Sequence, residues 1–233
     1  QTCALPIWIL DAAHGGKDFG AISKDGIKES EFVLEAALEA KKHLERNSEK
    51  VILIRDEDKT LSKEERIDIA NNTDADYFIS FHMSFSKDES KRGVKVLVVN
   101  ENEENYRLGR LVRDEIFSDL RTNDLGVIKN NEYKIYNNLK SIGIIVYGEY
   151  LSNKEAMNEF DAKSYGMMVA KAALAFRDKV LLLSPVTEPK KTQKRYWRLC
   201  IGYYSDYDEA VKAMIKEHKN GVKNAHIIPY EGR

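Results

Sequence analysis

Residues 9–16 read Ile9-Leu10-Asp11-Ala12-Ala13-His14-Gly15-Gly16, an apolar stretch that leads directly into a histidine and two glycines. The apolar residues predict a short strand. Glycines allow a tight turn and the close approach of a ligand, so we expect the imidazole of His14 at the mouth of this strand. The stretch therefore predicts a candidate metal ligand at the edge of a sheet.

Beyond this stretch, residues 8 to about 183 alternate strand-like and helix-like patterns. Short β-branched runs lie at 51–54, 77–81, 94–99 and 142–147. Amphipathic stretches lie at about 29–46, 62–73, 103–121 and 154–178. Several of the strands are continuous apolar runs, which is typical of a sheet covered on both faces. The alternation predicts an α/β fold with a twisted, mostly parallel sheet flanked by helices on both faces.

Composition and charge exclude several classes of protein. The chain has 233 residues, of which 42% are hydrophobic, and this is enough to bury a core. Lys and Arg number 37 against 38 Asp and Glu, so nothing supports a nucleic-acid partner or a polybasic membrane anchor. Because no apolar run reaches about 18 residues, the sequence predicts no membrane-spanning segment.

Two other segments offer partners for His14. The run 77–81 leads into His82, and the start of the first predicted helix offers Glu29 and Glu31. Parallel strands bring their carboxyl ends to one edge of a sheet, and two imidazoles with one carboxylate are a common ligand set for catalytic Zn²⁺. Either glutamate would also suit a helix N-terminus, and His82 would also suit the end of a buried strand. The spacing alone leaves these alternatives open.

Several motifs in a fixed order give the chain a family resemblance. They lie at 11–21, 26–29 with Leu34, 55–58, 61–71, 75–82, 93–94 and 150–153. With these motifs the chain resembles the zinc-dependent N-acetylmuramoyl-L-alanine amidases that cut bacterial peptidoglycan. The resemblance implies that His14, Glu29 and His82 bind Zn²⁺. It favours Glu29 over Glu31 because Leu34 falls where the family has a leucine.

The resemblance also implies an activity and a place of action. We expect hydrolysis of the amide bond between N-acetylmuramic acid and L-alanine, with Tyr147, Asn153 and Arg66 contacting the substrate. We expect a monomeric protein that acts outside the cytoplasm, in the cell wall or secreted, whose signal peptide is missing from this sequence. The segment 123–139 would form a wall of the substrate groove, or alternatively an ordinary helix with polar loops. A protein of the same fold that binds peptidoglycan without cutting it is the main alternative, and a general zinc peptidase is the third.

The sequence departs from the family at the residue expected to accept a proton. Family members carry a glutamate three positions before the aromatic residue of the 150–153 motif, and here that position is Tyr147. Glu149 follows two residues later, and residues i and i+2 of a strand share a face about 6 to 7 Å apart. Glu149 is therefore the predicted general base. Alternatively, Tyr147 only orients water or the developing oxyanion, or the domain binds peptidoglycan without cutting it.

The two ends of the chain are set apart from the catalytic domain, which we place at 8–183. Residues 1–7 resemble the translation of a sequencing adapter and are treated as non-native. Without Cys3, Cys200 has no disulfide partner.

Residues 184–194 carry two prolines and a basic run and predict a linker. Residues 195–233 predict a small β-α-β segment similar to the first half of a SPOR peptidoglycan-binding domain, or a small structural appendage. We expect the chain to be truncated at both ends.

Overall fold

A computed structural model of the protein describes residues 6–120, 122–131 and 133–183, together with Lys212. Within these residues the strands are β1 (Ile7–Ala12), β2 (Lys50–Leu53), β3 (Tyr77–Ser84), β4 (Val94–Val98), β5 (Asp124–Lys129) and β6 (Ile142–Tyr150). The α-helices are α1 (Glu29–Arg46), α2 (Lys63–Asn72), α3 (Glu103–Asp119), α4 (Lys154–Glu159) and α5 (Ala162–Leu183), and a 3-10 turn spans Lys134–Asn138.

The strands form one sheet in the order β2-β1-β3-β6-β4-β5. Parallel pairing joins β1 to β2 and to β3, β3 to β6, and β4 to β5. The pair β4 and β6 is antiparallel, so β4 and β5 run against the other four strands. The prediction of a mostly parallel sheet is confirmed, with one antiparallel junction that makes it mixed.

Alternating side chains place a hydrophobic core on each face of the sheet. Trp8, Leu10 and Ala12 of β1 point to the face that α1, α3 and α5 cover. Ile9 points to the opposite face, where it joins a core with residues of α2 and of the 3-10 turn. A strand with apolar residues on both sides suits a sheet between two helical layers, and the predicted layer arrangement is confirmed.

The structure adds detail that the sequence patterns did not resolve. The segment 123–139 holds the edge strand β5 and the 3-10 turn instead of the α-helix that was one alternative, and its role as a wall of the substrate groove stays a prediction. The single helix predicted at 154–178 is divided into α4 and α5. β1 begins at Ile7, one residue inside the stretch set aside as non-native. The predicted linker and C-terminal β-α-β segment lie outside the described residues, apart from Lys212.

None of the helices in the described part of the chain is long and apolar enough to cross a membrane.

Candidate metal centre

Three side chains from separate elements meet at one edge of the sheet. His14 follows β1, Glu29 is the first residue of α1 and His82 lies near the end of β3. One ligand atom from each residue lies within 4.8 Å of the other two. Glu29 Oε1 is 3.4 Å from His14 Nε2 and 3.3 Å from His82 Nδ1. The fold thus brings together the three residues that the sequence predicted as ligands, and ligation itself stays a prediction.

His14 is oriented by its neighbour Asp18. The Nδ1 atom of His14 lies 2.8 Å from Asp18 Oδ2, an acceptor that places the ring proton on Nδ1. The lone pair of Nε2 is then free to bind a metal on the side of Glu29. A carboxylate behind a histidine ligand fixes its tautomer and raises its basicity. Asp18 is therefore positioned to orient His14 from behind, as a residue that binds a metal ligand without touching the metal.

The loop after His14 depends on glycine, as Gly16 and Gly20 show. Gly16 has φ +60°, and a Cβ there would collide with the side chain of Thr60. Gly20 has φ +63°, and a Cβ there would lie 2.7 Å from both Glu29 Oε2 and the His14 ring. These backbone conformations and close approaches are open to glycine and strained for other residues. Gly16 therefore lets the loop pack against Thr60, and Gly20 lets it fold back against His14 and Glu29.

The carboxylate of Glu29 is held by backbone donors on both sides. Met83 N donates to Oε1 at 2.9 Å and Ala21 N donates to Oε2 at 3.0 Å. Burial by itself would raise the pKa of Glu29, but hydrogen bonds and charges from His14 and His82 outweigh burial and hold this pKa well below its usual range. Glu29 is therefore an anion at neutral pH, oriented before any ligand arrives.

His82 is held by stacked aromatic rings. Its imidazole lies 5.2 Å from the ring of Tyr147 and 5.9 Å from the ring of Tyr133, both close to parallel. Tyr147 is the cross-strand neighbour of His82 on β6, and its hydroxyl donates to the hydroxyl of Tyr133 at 3.1 Å. Tyr147 is therefore next to the predicted ligand set, and its predicted contact with substrate is untested.

The donor set fits a divalent cation such as zinc. An anionic carboxylate and two imidazoles converge within 4.8 Å, and Zn²⁺ commonly takes these three ligands in catalytic sites. Burial lowers the pKa of His14, but Glu29 and Asp18 outweigh burial and raise it above its usual value. The cluster thus favours positive charge at its centre, as a metal site requires.

Two buried arginines hold the backbone at the exit of β1. Arg66 Nη1 donates to Asp11 Oδ1 at 2.6 Å and to Ala12 O at 2.8 Å, and Arg66 Nη2 donates to His14 O at 2.5 Å. Arg55 donates to the carbonyl oxygens of Ala12 and Ala13. Arg66 is 3% exposed, so the predicted substrate contact would require it to leave these partners. That contact stays a prediction.

Asn153 caps a helix in this structure. Its side-chain Oδ1 accepts from Ala156 N at 2.8 Å and so begins α4, and its Nδ2 donates to Lys91 O at 3.3 Å. The residue is 6% exposed. Its predicted role in substrate binding is untested, and its described hydrogen bonds are structural.

Glu149 lies in an irregular part of β6. His82 pairs with Tyr147 and Ser84 pairs with Tyr150, so β6 carries one extra residue between these pairs. Such a bulge interrupts the alternation that placed Glu149 on the face of Tyr147.

The carboxylate of Glu149 has other partners than the metal ligands. Oε1 accepts from Gly93 N at 2.6 Å and from Tyr150 N at 2.8 Å, and Oε2 accepts a hydrogen bond from Thr122 Oγ1. The residue is 1% exposed. Among the described residues, the carboxylate grouped with the two histidines is that of Glu29. The base role of Glu149 stays a prediction, and it would require the carboxylate to leave these donors.

Sequence reasoning assigned no individual role to Asp18 or Arg55, and it placed Tyr133 only within the predicted groove wall at 123–139. Asp18 follows His14 by four positions, and an acid so close to a histidine ligand is a usable signal. Arg55 directly follows the apolar run 51–54. A charged residue at the end of a strand is a signal of the sheet edge where functional residues gather. Tyr133 gave no such signal because its place beside His82 depends on the turn after β5.

Comparison with known proteins gives a clear family match. The family model for N-acetylmuramoyl-L-alanine amidase matches residues 9–176. A probable N-acetylmuramoyl-L-alanine amidase AmiB of Haemophilus influenzae is 38% identical over 115 residues, which are 48% of this chain and 27% of that protein. The amidase AmiC of Neisseria meningitidis is 37% identical over 95 residues, or 41% of this chain and 23% of that protein. The matched parts span about a quarter of these two relatives.

Solved structures show the same fold. The amidase AmiC2 of Nostoc punctiforme superimposes with a TM-score of 0.67 at 22% identity, covering 74% of this chain and 97% of that one. The CwlD amidase of Clostridioides difficile, solved in complex with the GerS lipoprotein, gives a TM-score of 0.68 at 24% identity, covering 77% of this chain and 100% of that one. At these identities the likeness concerns the fold.

Proposed function

The chain belongs to the N-acetylmuramoyl-L-alanine amidase family, and we propose that it is a zinc hydrolase that cleaves the amide bond between N-acetylmuramic acid and L-alanine in peptidoglycan. The observation that carries this proposal is the convergence of His14, Glu29 and His82 within 4.8 Å. These three residues would hold the metal. Zinc in such a site supplies Lewis-acid polarisation of a carbonyl and activation of water.

The protein's own residues prepare the site for this chemistry. Asp18 holds the proton on His14 Nδ1, and the amides of Ala21 and Met83 orient Glu29. Tyr147 stacks on His82 and would contact the substrate beside the scissile bond. In our proposal Arg66 and Asn153 also contribute to substrate binding, through the loops that they hold in place.

Proton transfer is the step for which the structure places no carboxylate beside the proposed ligands other than Glu29, among the described residues. Glu149 would accept the proton of the attacking water and pass it to the leaving amine, after its carboxylate leaves Gly93, Tyr150 and Thr122. General base catalysis of this kind contributes roughly 10²- to 10⁴-fold. An enzyme that must first break these hydrogen bonds would be slow, and low turnover is part of the proposal.

A cleavage assay tests the proposed activity. Zinc-loaded protein is incubated with purified peptidoglycan, and new amino termini and new reducing ends are measured. We expect newly freed L-alanine amino termini without new reducing ends. New amino termini at other residues would instead indicate that the protein is a zinc peptidase.

A second candidate function is peptidoglycan binding without cleavage. The observation that favours it is Glu149, which is 1% exposed and accepts three hydrogen bonds away from the metal ligands. If this candidate is correct, the protein should sediment with peptidoglycan in the cleavage assay, and no L-alanine amino termini should be freed.

The remaining parts of the proposal concern the cellular setting. We place the protein outside the cytoplasm, at the cell wall or secreted, acting as a monomer on muramyl peptides, with residues 195–233 as a partial SPOR-like glycan-binding segment. Fractionation of cells that express the natural gene tests the location, and gel filtration with light scattering tests the oligomeric state.

A further inference from the structure

We propose that Arg55 is a positioning residue that sets the distance between two metal ligands, because one nitrogen of its guanidinium joins the backbone beside His14 to the backbone beside Glu29. The proposal rests on the metal site proposed above. It concerns the metal affinity of the chain rather than the cleavage step.

The evidence is a shared donor. Arg55 Nη2 donates to Ala13 O and to Ser30 O, each at 2.8 Å. Ala13 directly precedes His14, and Ser30 directly follows Glu29. The β1 exit and the first turn of α1 are therefore linked through a single nitrogen atom, one residue away from a predicted ligand on each side.

The rest of the guanidinium fixes the position of this nitrogen. Arg55 Nε donates to Ala12 O at 2.8 Å and Nη1 donates to Glu57 O at 3.1 Å. Arg55 is 2% exposed, so water does not compete for these bonds. Only arginine offers several N–H donors in one rigid plane, and a lysine ammonium cannot reach all four carbonyls with this geometry.

The protein keeps Arg55 although its surroundings disfavour the charge. Burial, followed by the nearby charge of Arg66, lowers the pKa of Arg55. Its four hydrogen bonds to backbone carbonyls offset the cost of this burial, and their loss would also lower stability. Positioning is therefore separated from stability by the places of these bonds, two of which hold the residues next to His14 and Glu29.

Arg66 has a complementary part in the same arrangement. Its Nη2 atom binds the carbonyl of His14, whose φ of 60° lies in the left-handed region. Arg66 thus holds the strained backbone of one ligand, whereas Arg55 connects two ligand segments. Loss of Arg55 would let His14 and Glu29 separate, so that part of the binding energy of the metal would be needed to bring them together again.

The test measures metal binding in the full chain. Zinc affinity of metal-stripped protein is determined by chelator competition for wild type, Arg55→Lys and Arg55→Met. Loss of an outer partner typically weakens metal binding about 10- to 100-fold. We expect a loss in this range for Arg55→Met and a smaller loss for Arg55→Lys. We also expect a changed absorption spectrum of the Co²⁺ forms, because that spectrum reports coordination geometry.

Arg177→Met is the matched control. Arg177 is a partly buried arginine paired with Glu49, which directly precedes β2 and lies at the amino-terminal end of the strands, away from His14 at the exit of β1. Its loss should lower thermal stability and leave zinc affinity and the Co²⁺ spectrum unchanged.

The possible outcomes separate the proposals. If wild type binds zinc and both Arg55 variants bind it equally well, with only their thermal stability reduced, Arg55 is structural and the positioning role is wrong. If wild type binds no zinc, the proposed metal site itself fails. If Arg55→Met does not fold, the affinity and the Co²⁺ spectrum of Arg55→Lys decide, and wild-type values for both overturn the proposal.

Discussion

The two sides of the candidate site differ in how their backbone is held. On the ligand side, β1 and β3 pair in regular parallel register from Trp8↔Tyr77 to Ala12↔Phe81, and Arg55 and Arg66 bind the carbonyls that follow. On the other side, β6 carries a bulge directly after Tyr147. On the ligand side the structure brings together the three predicted ligands, whereas on the β6 side Tyr147 stands where the resemblance implies a glutamate.

This contrast indicates which part of the chemistry tolerates change. The proposed metal ligation needs three side chains at fixed positions, and these come from the exit of β1, the start of α1 and the end of β3, with the guanidiniums of Arg55 and Arg66 holding the backbone beside them. Proton transfer needs one carboxylate beside the metal, and the end of a single strand decides where it points. A bulge in that strand is enough to turn a carboxylate toward Gly93 and Thr122 instead.

The largest effect is expected from loss of a ligand. His82→Ala removes one of three converging donors, so zinc affinity should fall beyond the roughly 10- to 100-fold that accompanies loss of an outer partner. Amide cleavage should be abolished with it. Chelator competition and the peptidoglycan assay measure the two effects.

His43→Ala is the control for this prediction. His43 lies in the last turn of α1, away from the ligand set. The His43→Ala variant should bind zinc with wild-type affinity. Wild-type zinc affinity in His82→Ala would remove His82 from the ligand set.

A gain is expected when the β6 side is repaired. Tyr147 is the cross-strand neighbour of His82, so Tyr147→Glu places a carboxylate beside the metal ligands. The cleavage rate should rise by about 10²-fold, the lower end of what a general base contributes. Tyr147→Gln has nearly the same size without the acid and should give no gain. Equal rates for the two variants would show that the missing glutamate does not limit the enzyme.

Glu149→Gln should abolish amide cleavage while leaving zinc bound, because Glu149 is the proposed base, and it should also lower the free energy of unfolding by a smaller amount. Glutamine can keep its amide oxygen on Gly93 N and Tyr150 N and turn its amide nitrogen to Thr122 Oγ1, whose hydroxyl accepts as well as donates. The loss is then that of the negative charge on the acceptor, about 1 kcal/mol. Urea unfolding of the zinc-free protein measures this change, and zinc affinity should stay at the wild-type value.

Turnover of the same variant separates the two roles of Glu149. Loss of cleavage in folded, zinc-loaded Glu149→Gln supports the predicted base, whereas unchanged turnover leaves Glu149 with a structural role. An unfolding free energy equal to that of wild type would contradict the hydrogen bonding described above.

The smallest effect is expected from Thr122→Val, which removes a single donor to Glu149 and keeps the shape of the side chain. A hydrogen bond to a charged group contributes about 1.5–3 kcal/mol, and the remaining donors Gly93 N and Tyr150 N reduce the loss to about 1 kcal/mol. Zinc affinity should not change. A fall in zinc affinity would show that the two sides of the site are coupled.

Patterns within the sequence predicted the layers of the fold and the two histidines of the three residues that converge. Apolar runs with helical stretches between them are sufficient to predict a sheet covered on both faces, and His14 and His82 each end such a run. The choice of Glu29 over Glu31 came from the family resemblance, and the structure places Glu29 with the two histidines.

The remaining features depend on contacts between distant residues, which local patterns do not reveal. The residues of β5 are exposed or only partly buried because β5 is an edge strand, so its sequence lacks a long apolar run. The position of Glu149 was predicted from regular alternation, and one extra residue in β6 interrupts it. Arg55 and Arg66 act on carbonyls more than forty residues earlier in the chain, and no local pattern connects these positions.

The central claim is that His14, Glu29 and His82 form one zinc centre. A crystal structure of the zinc-loaded full chain tests it most directly. We predict one zinc ion bound by two imidazole nitrogens at about 2.0–2.1 Å and by a Glu29 carboxylate oxygen at about 2.0–2.2 Å. Zinc bound elsewhere, with these three side chains free of metal, would contradict the account.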